Sequence, residues 1–214
     1  CLGAWHSPDR LDAALALKAA QPQAAWIAGG TDLGVALSHG QASAPAYIAL
    51  DRIAALQAIE VDEDVVRIGA GVPLREIETR LAGRYAPLDG MLPWFAARQV
   101  RNRATLGGNL GTASPIGDLL PVLLALDASV VCRSVRGERR LPVADYFLDY
   151  RRTARAEDEL IVAVELPARL PGIGASYKVA KRQTDDISIV AASFVIDRDA
   201  QGRVRRARLA YGGV

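Results

Sequence analysis

Two glycine pairs, each following a short apolar run, constrain this chain more than any other feature. The first stands in Ala28-Gly29-Gly30-Thr31-Asp32-Leu33 and the second in Thr105-Leu106-Gly107-Gly108-Asn109. Paired glycines let consecutive backbone N–H groups approach an anion with no Cβ in the way, and a helix that follows adds its positive end. Each run therefore predicts strand, turn and helix, and the two together are suited to cradle a diphosphate. For either pair alone, a tight turn or a close strand–helix contact is the readier explanation. Between Met91 and Gly117 the only charged side chains are Arg98, Arg101 and Arg103, which makes the second turn's stretch of chain locally positive.

The remaining pattern alternates in the same way. Ser7, Pro8 and Asp9 read as N-cap, first residue and first-turn acid of a helix carrying Leu11, Ala14, Leu15 and Lys18, which Gln21-Pro22 ends. Ala24 to Ala28 predicts a strand, Thr31 the cap of a helix running towards Gly40, and Ala46 to Leu50 a second strand. Gln57 to Val61 and Val65 to Gly69 form a hairpin around Asp62-Glu63-Asp64, and Val72-Pro73 opens a helix with Leu74, Ile77 and Leu81 inward. Leu92 to Val100 reads as helix and Ala104 to Leu106 as a short strand. Ser114-Pro115 caps an apolar helix from Ile116 to Leu126, with Asp118 in its first turn. Ser129 to Arg133 pairs with Glu138 to Leu141, and Glu159 to Leu166 adds another strand. Past Pro171-Gly172, the runs Ala175 to Arg182, Ser188 to Ile196 and Val204 to Tyr211 predict an antiparallel sheet with no helix after it to cover it. The expectation is a second domain present only in part, in a chain that looks like a segment of something longer.

Several functions are excluded by what the chain contains. Its 26 basic and 24 acidic residues leave a formal net charge of +2, which does not suit a nucleic-acid polycation. The longest apolar stretch, Leu119 to Cys132, contains Pro121 and Asp127 and is shorter than the roughly 20 residues a bilayer requires, so no membrane span is expected. Cys1 and Cys132 are too few for a disulfide framework or a cysteine metal site, and a reducing, cytoplasmic setting follows as the default. The dinucleotide fingerprint G-x-G-x-x-G, the phosphate loop, the zinc helix and the nucleophile elbow do not occur. His6 and His39, the only histidines, read as surface residues near helix ends.

Taken in order, these turns resemble the flavin domain of the molybdenum-containing hydroxylases, the small subunit of bacterial xanthine dehydrogenases in particular. The likeness is carried by Ala28 to Leu33; Phe95-Ala96 with Gln99-Val100-Arg101; Ala104 to Asn109; Ala113-Ser114-Pro115-Ile116 with Asp118 and Pro121; Tyr150-Arg151; and Tyr177-Lys178 with Asp185-Asp186-Ile187. It implies an α+β chain: a two-lobed FAD-binding fold of the vanillyl-alcohol-oxidase type, followed by the start of a smaller antiparallel C-terminal domain. The lobes would be residues 1–56 and 57–170, and the partial domain 174–214.

In such enzymes a molybdopterin centre oxidises the substrate, [2Fe–2S] clusters pass electrons to FAD, and reduced FAD passes hydride to NAD⁺. The resemblance makes this chain the FAD station only, with the iron–sulfur domain and molybdopterin-binding subunit as partners and NAD as acceptor. It places Trp26, Ile27, Ala28, Gly29, Gly30, Thr31, Asp32 and Leu33 around the pyrophosphate. Phe95, Thr105 and Asp118 would touch the ribityl–diphosphate and adenosine portions, with Gly108, Asn109 and Ser114 in the same site. Ile161 and Lys178 would lie near the isoalloxazine, and Asp185-Asp186 would form an acidic loop over the face where NAD binds. No side chain is expected to act as acid or base, because the cofactor carries the redox chemistry. Oxygen or a quinone as acceptor, and a non-enzymatic ligand-binding or assembly module, are the alternatives.

Overall fold

The structure, a computed structural model, describes residues 3–170 and 172–213. Its first sheet is small and parallel. Strand β1 (Ala4–His6) leads into α1 (Leu11–Ala20), and β2 (Ala25–Ile27) leads through the first glycine pair into α2 (Thr31–Ser38). With β3 (Ala46–Ala49) the order is β1-β3-β2.

The second sheet is antiparallel in the order β4-β5-β10-β6-β7, from β4 (Ile59–Val61), β5 (Val65–Gly69), β6 (Ser129–Ser134), β7 (Gly137–Pro142) and β10 (Leu160–Pro167). The helices α3 (Leu74–Arg80), α4 (Ala86–Met91), α5 (Arg98–Arg101), α6 (Leu106–Thr112) and α7 (Leu119–Ala125) lie between β5 and β6 in the chain. After β7 come α8 (Val143–Tyr146) and the small hairpin β8 (Phe147–Asp149) with β9 (Arg152–Thr153). Strand β10 is buried on both faces, which is why Leu160 to Val164 is a continuous apolar run rather than an alternating one. Leu160, Val162 and Ala163, with Val131, join the core of the first sheet around Ile48 and Leu15; Ile161 and Val164 join the larger core with the helices.

The last sheet, β11 (Ile173–Val179), β12 (Val190–Arg198) and β13 (Val204–Gly212), is the antiparallel unit expected, but it does not lack cover. Its Ser176, Ala191, Ser193 and Val195 face is buried, with α4 packed on β11 and α7 on β12 and β13. The covering helices come from earlier in the chain, a long-range packing that local pattern does not announce. On the other face Ile173, Tyr177, Val179, Leu209 and Tyr211 are exposed.

Five local expectations fail, each for a visible reason. Helix α1 starts at Leu11, after an extended Arg10 without a side-chain cap, so Ser7 and Pro8 lie outside it. Gly30, at φ +73°, and not Thr31, is the N-cap of α2. The Leu92 to Val100 helix is broken into a 3₁₀ turn at Leu92–Trp94 and the separate α5, because the Arg101 guanidinium takes the carbonyls of Phe95 (2.8 Å) and Ala96 (3.3 Å). Ala104 to Leu106 is no strand but a single bridge, Pro73 to Thr105, so the second glycine pair falls inside α6. Finally, α7 begins only at Leu119: Ser114 to Gly117 closes a turn of its own (Gly117 N to Ser114 O, 2.9 Å), and Asp118 occupies the cap position.

Candidate functional site

Residues from both the β1–β3 segment and the segment of the second sheet line a cavity of about 970 Å³, near the upper end of the roughly 300–1,000 Å³ usual for ligand sites. Of the sixteen positions singled out from sequence, Trp26, Ile27, Ala28, Gly29, Gly30, Thr31, Asp32, Leu33, Phe95, Thr105, Gly108, Asn109, Ser114, Asp118 and Ile161 line it. Lys178 is not among the lining residues.

The two glycine segments meet, but they do different work. A Cβ built on Gly29 would run into the Arg103 carbonyl oxygen, so the first turn lies directly against the chain that leads into α6. From Gly29 to Leu33 the backbone N–H groups find no acceptor among the described residues, the ordinary condition of a helix start. They are free for an anion. In the second segment the N–H groups are already used: Gly107 donates to Ala70 O (2.9 Å), Gly108 to Thr105 Oγ1 (3.1 Å) and Asn109 to Thr105 O (3.0 Å). The second pair is therefore a capped, close-packed helix start, with a Gly107 Cβ position only 2.6 Å from the Ala70 methyl, and not the second half of an anion cradle.

The positive stretch also points elsewhere. Arg101 is buried against Glu78 (3.3 Å), which Arg75 holds in turn (2.9 Å), while Arg98 and Arg103 are exposed, and none of the three lines the cavity. The cations that do are Lys18, Arg155 and Arg182. Only Lys18 gave a signal in sequence, a lysine on the apolar stripe of its helix. Burial first, and the charge of Arg155 second, hold its ammonium below the ordinary lysine range.

Asp118 forms the most tightly knit part of the wall. Its Oδ2 accepts from Lys178 Nζ at 2.7 Å and its Oδ1 from the Ser188 hydroxyl, and the Lys178 ammonium also donates to Trp94 O at 3.1 Å. The Lys178 and Asp118 side chains are 5% and 8% exposed. Lys178 thus acts on the cavity through Asp118. Across the cleft Thr112 donates to Asp32 (3.0 Å), tying α6 to α2. Arg182, Asp185, Asp186 and Ile187 line one end from an exposed loop, and the Asp186 carboxyl is held below its usual range by the backbone N–H groups of Arg182 and Ile187.

A flavin nucleotide suits these donors and acceptors. A row of unpaired N–H groups answers a diphosphate, and the buried Asn109 Oδ1, without a partner among the described residues, is an acceptor waiting for a donor on the ligand. No group of three or more metal-binding side chains occurs among the described residues, and no described helix is long and apolar enough to cross a membrane.

A large cavity whose wall carries a row of unpaired helix-start N–H groups is an arrangement suited to a nucleotide cofactor. The chain belongs to the FAD-binding domain family of molybdopterin dehydrogenases, whose profile matches residues 2–169; that of the CO dehydrogenase flavoprotein C-terminal domain matches residues 175–214. Among curated proteins it is 33% identical to xanthine dehydrogenase/oxidase of Gallus gallus and 31% identical to xanthine dehydrogenase of Emericella nidulans. Each match covers 98% of this chain and only 16% of the relative. Among solved structures it resembles a carbon monoxide dehydrogenase from Hydrogenophaga pseudoflava that lacks the Mo-pyranopterin moiety (TM-score 0.93, 26% identity, 99% of this chain and 75% of that one). It also resembles quinoline 2-oxidoreductase from Pseudomonas putida 86 (TM-score 0.91, 25% identity, 100% and 75%). The α+β flavin fold with an antiparallel C-terminal sheet, expected from sequence, is the fold found.

Proposed function

We propose that this chain is the FAD-binding electron-transfer domain of a xanthine dehydrogenase-type oxidoreductase, which takes electrons from [2Fe–2S] clusters and passes hydride to NAD⁺. The observation that carries the flavin reading is the row of unpaired N–H groups from Gly29 to Leu33 on the cavity wall. Bound FAD supplies all the redox chemistry, as a two-electron acceptor that returns hydride. The protein binds and orients. Residues 1–56 and 57–170 act as the two lobes and 174–214 as the C-terminal unit over the open end. In this reading Trp26 to Leu33 hold the diphosphate, Phe95, Thr105 and Asp118 meet the ribityl–diphosphate and adenosine portions with Asn109 and Ser114 in the same wall, and Ile161 lies near the isoalloxazine. Lys178 fixes the Asp118 carboxylate.

NAD⁺ as acceptor is supported by the likeness to xanthine dehydrogenases over 98% of the chain. The partners in this reading are an iron–sulfur domain and a molybdopterin-binding subunit, in a cytoplasmic enzyme. A second reading keeps the flavin and changes the acceptor to oxygen or a quinone, favoured by the 0.93 TM-score to a carbon monoxide dehydrogenase chain. Acid release and chromatography of the bound chromophore test the cofactor: close to one FAD per chain is expected, and a colourless protein that gains no thermal stability from added FAD refutes it. In the assembled enzyme, NAD⁺ reduction at the rate of substrate oxidation supports the first acceptor; oxygen uptake or quinone reduction without NAD⁺ reduction supports the second.

A further inference from the structure

The chain that leads into β12 inverts the usual order of burial. Ile187 and Ile189 are 66% and 52% exposed, while Ser188 between them is 4% exposed. Isoleucine ordinarily takes the interior and serine the surface. Here two apolar side chains stay in water and a hydroxyl goes inside.

That hydroxyl has one partner. Ser188 stands on the cavity wall and donates to Asp118 Oδ1. Asp118, 6% exposed and on the same wall, receives Lys178 Nζ on its other oxygen at 2.7 Å. Lys178 is the last residue but one of β11, Ser188 comes two residues before β12 begins, and Ile189 N donates to Val179 O (2.8 Å) to close the base of the connection. Both stems of one loop therefore end on one carboxylate.

The two donors do different things. The ammonium supplies the opposite charge that a buried carboxylate requires. It does not by itself fix the carboxylate plane, because the Cβ–Cγ torsion of aspartate is broad and roughly two-fold. A donor on the second oxygen sets that plane. An ionised carboxylate is acceptor-only and each oxygen has room for more than one donor, so Asp118 is left with fixed acceptor sites for hydroxyl or N–H groups of a molecule in the cavity.

We propose that Ser188 is a positioning residue of the cofactor site, acting on bound FAD through Asp118 by holding the carboxylate in the plane that receives the ligand's donors. This rests on the FAD reading above and deepens it, by adding a residue that the sequence did not single out.

In the whole protein that carries this chain, stripped of flavin, FAD dissociation constants are measured by flavin fluorescence for the wild type, Ser188→Ala, Ser188→Thr, Asp118→Asn and the Ser188→Ala/Asp118→Asn double variant. Losing a hydrogen bond to a charged group weakens an equilibrium on the order of tenfold. Ser188→Ala should weaken FAD by that factor, and Ser188→Thr, which keeps the hydroxyl, should restore most of the affinity. The double variant should bind FAD no worse than Asp118→Asn alone, because residues that act through one another are not additive. A Ser188→Ala protein with wild-type FAD affinity overturns the proposal. So does a Ser188→Thr protein as weak as Ser188→Ala, which would make the residue a matter of packing. Losses that multiply in the double variant also overturn it, and would make Ser188 a direct contact of the nucleotide. A wild-type protein that takes up no FAD refutes the FAD reading itself, and this proposal with it.

Discussion

Replacing Lys178 by methionine separates two regimes of ion-pair energetics. The pair with Asp118 spans 2.7 Å, with side chains only 5% and 8% exposed, and it links β11 of the last sheet to the cap of α7. A solvated pair contributes about 0–1 kcal/mol. Breaking a buried pair from one side costs about 3–5 kcal/mol, because the remaining charge stays out of water. The exposures place Lys178 in the second regime, with one mitigation: the Ser188 hydroxyl still donates to the stranded carboxylate. At about 2–4 °C per kcal/mol for a domain of this size, Lys178→Met should lower Tm by about 6–20 °C. Adding Asp118→Leu should restore most of the loss, since the desolvated charge disappears with its partner. Thermal unfolding followed by circular dichroism reads all three proteins. A drop below about 3 °C in the single variant, or a double variant worse than the single, refutes the reasoning.

Three further outcomes are expected. Gly29→Ala sets a methyl against the Arg103 carbonyl and should force the first turn away from α6, with loss of bound flavin at a stability cost of about 1–3 kcal/mol; full flavin content in a folded variant refutes it. The Cys132 thiol, buried and pushed up to about 11 mainly by desolvation, should resist a thiol reagent at pH 8 until the protein unfolds, and rapid native labelling would contradict this. Glu159 is held below the ordinary carboxylate range, chiefly by the Arg139 guanidinium at 2.6 Å. Its contribution is therefore complete above the unperturbed glutamate value of about 4.3 and lost as pH falls through the lowered folded value. Glu159→Gln should flatten that acid limb in urea unfolding measured from pH 6 to pH 3, and an unchanged slope counts against the pair.

What was legible in sequence is what local chemistry dictates. The hairpin around Asp62 to Asp64, the Leu74–Ile77–Leu81 stripe and the apolar run of β10 follow from side-chain period, and each is found. The first glycine turn was read correctly as strand, turn and free N–H row. The second was not, because whether a Gly-Gly ends a strand or starts a helix depends on Thr105 reaching back to Gly108 and on Ala70 packing against Gly107 from another part of the chain. Arg98, Arg101 and Arg103 looked like a phosphate-binding patch; the Glu78 partner that draws Arg101 into the core lies 23 residues away in the chain and sends no local signal. Lys18 was taken for an ordinary stripe residue for the same reason: its place beside Trp26 exists only once α1 packs on the sheet.

The cavity wall also has an order in time. Its first bank, Gly29 to Leu33, is made long before Asp118, and Ser188, which bonds Asp118, is made last. At about 5–20 residues per second of synthesis, Ser188 follows Thr31 by roughly 8–30 s. Until Val131, Leu160, Val162 and Ala163 arrive, the core of the first sheet lacks a third of its buried residues. Cofactor capture is accordingly a late event in the life of this chain, and a nascent protein stalled before residue 188 has a cradle but no closed vessel.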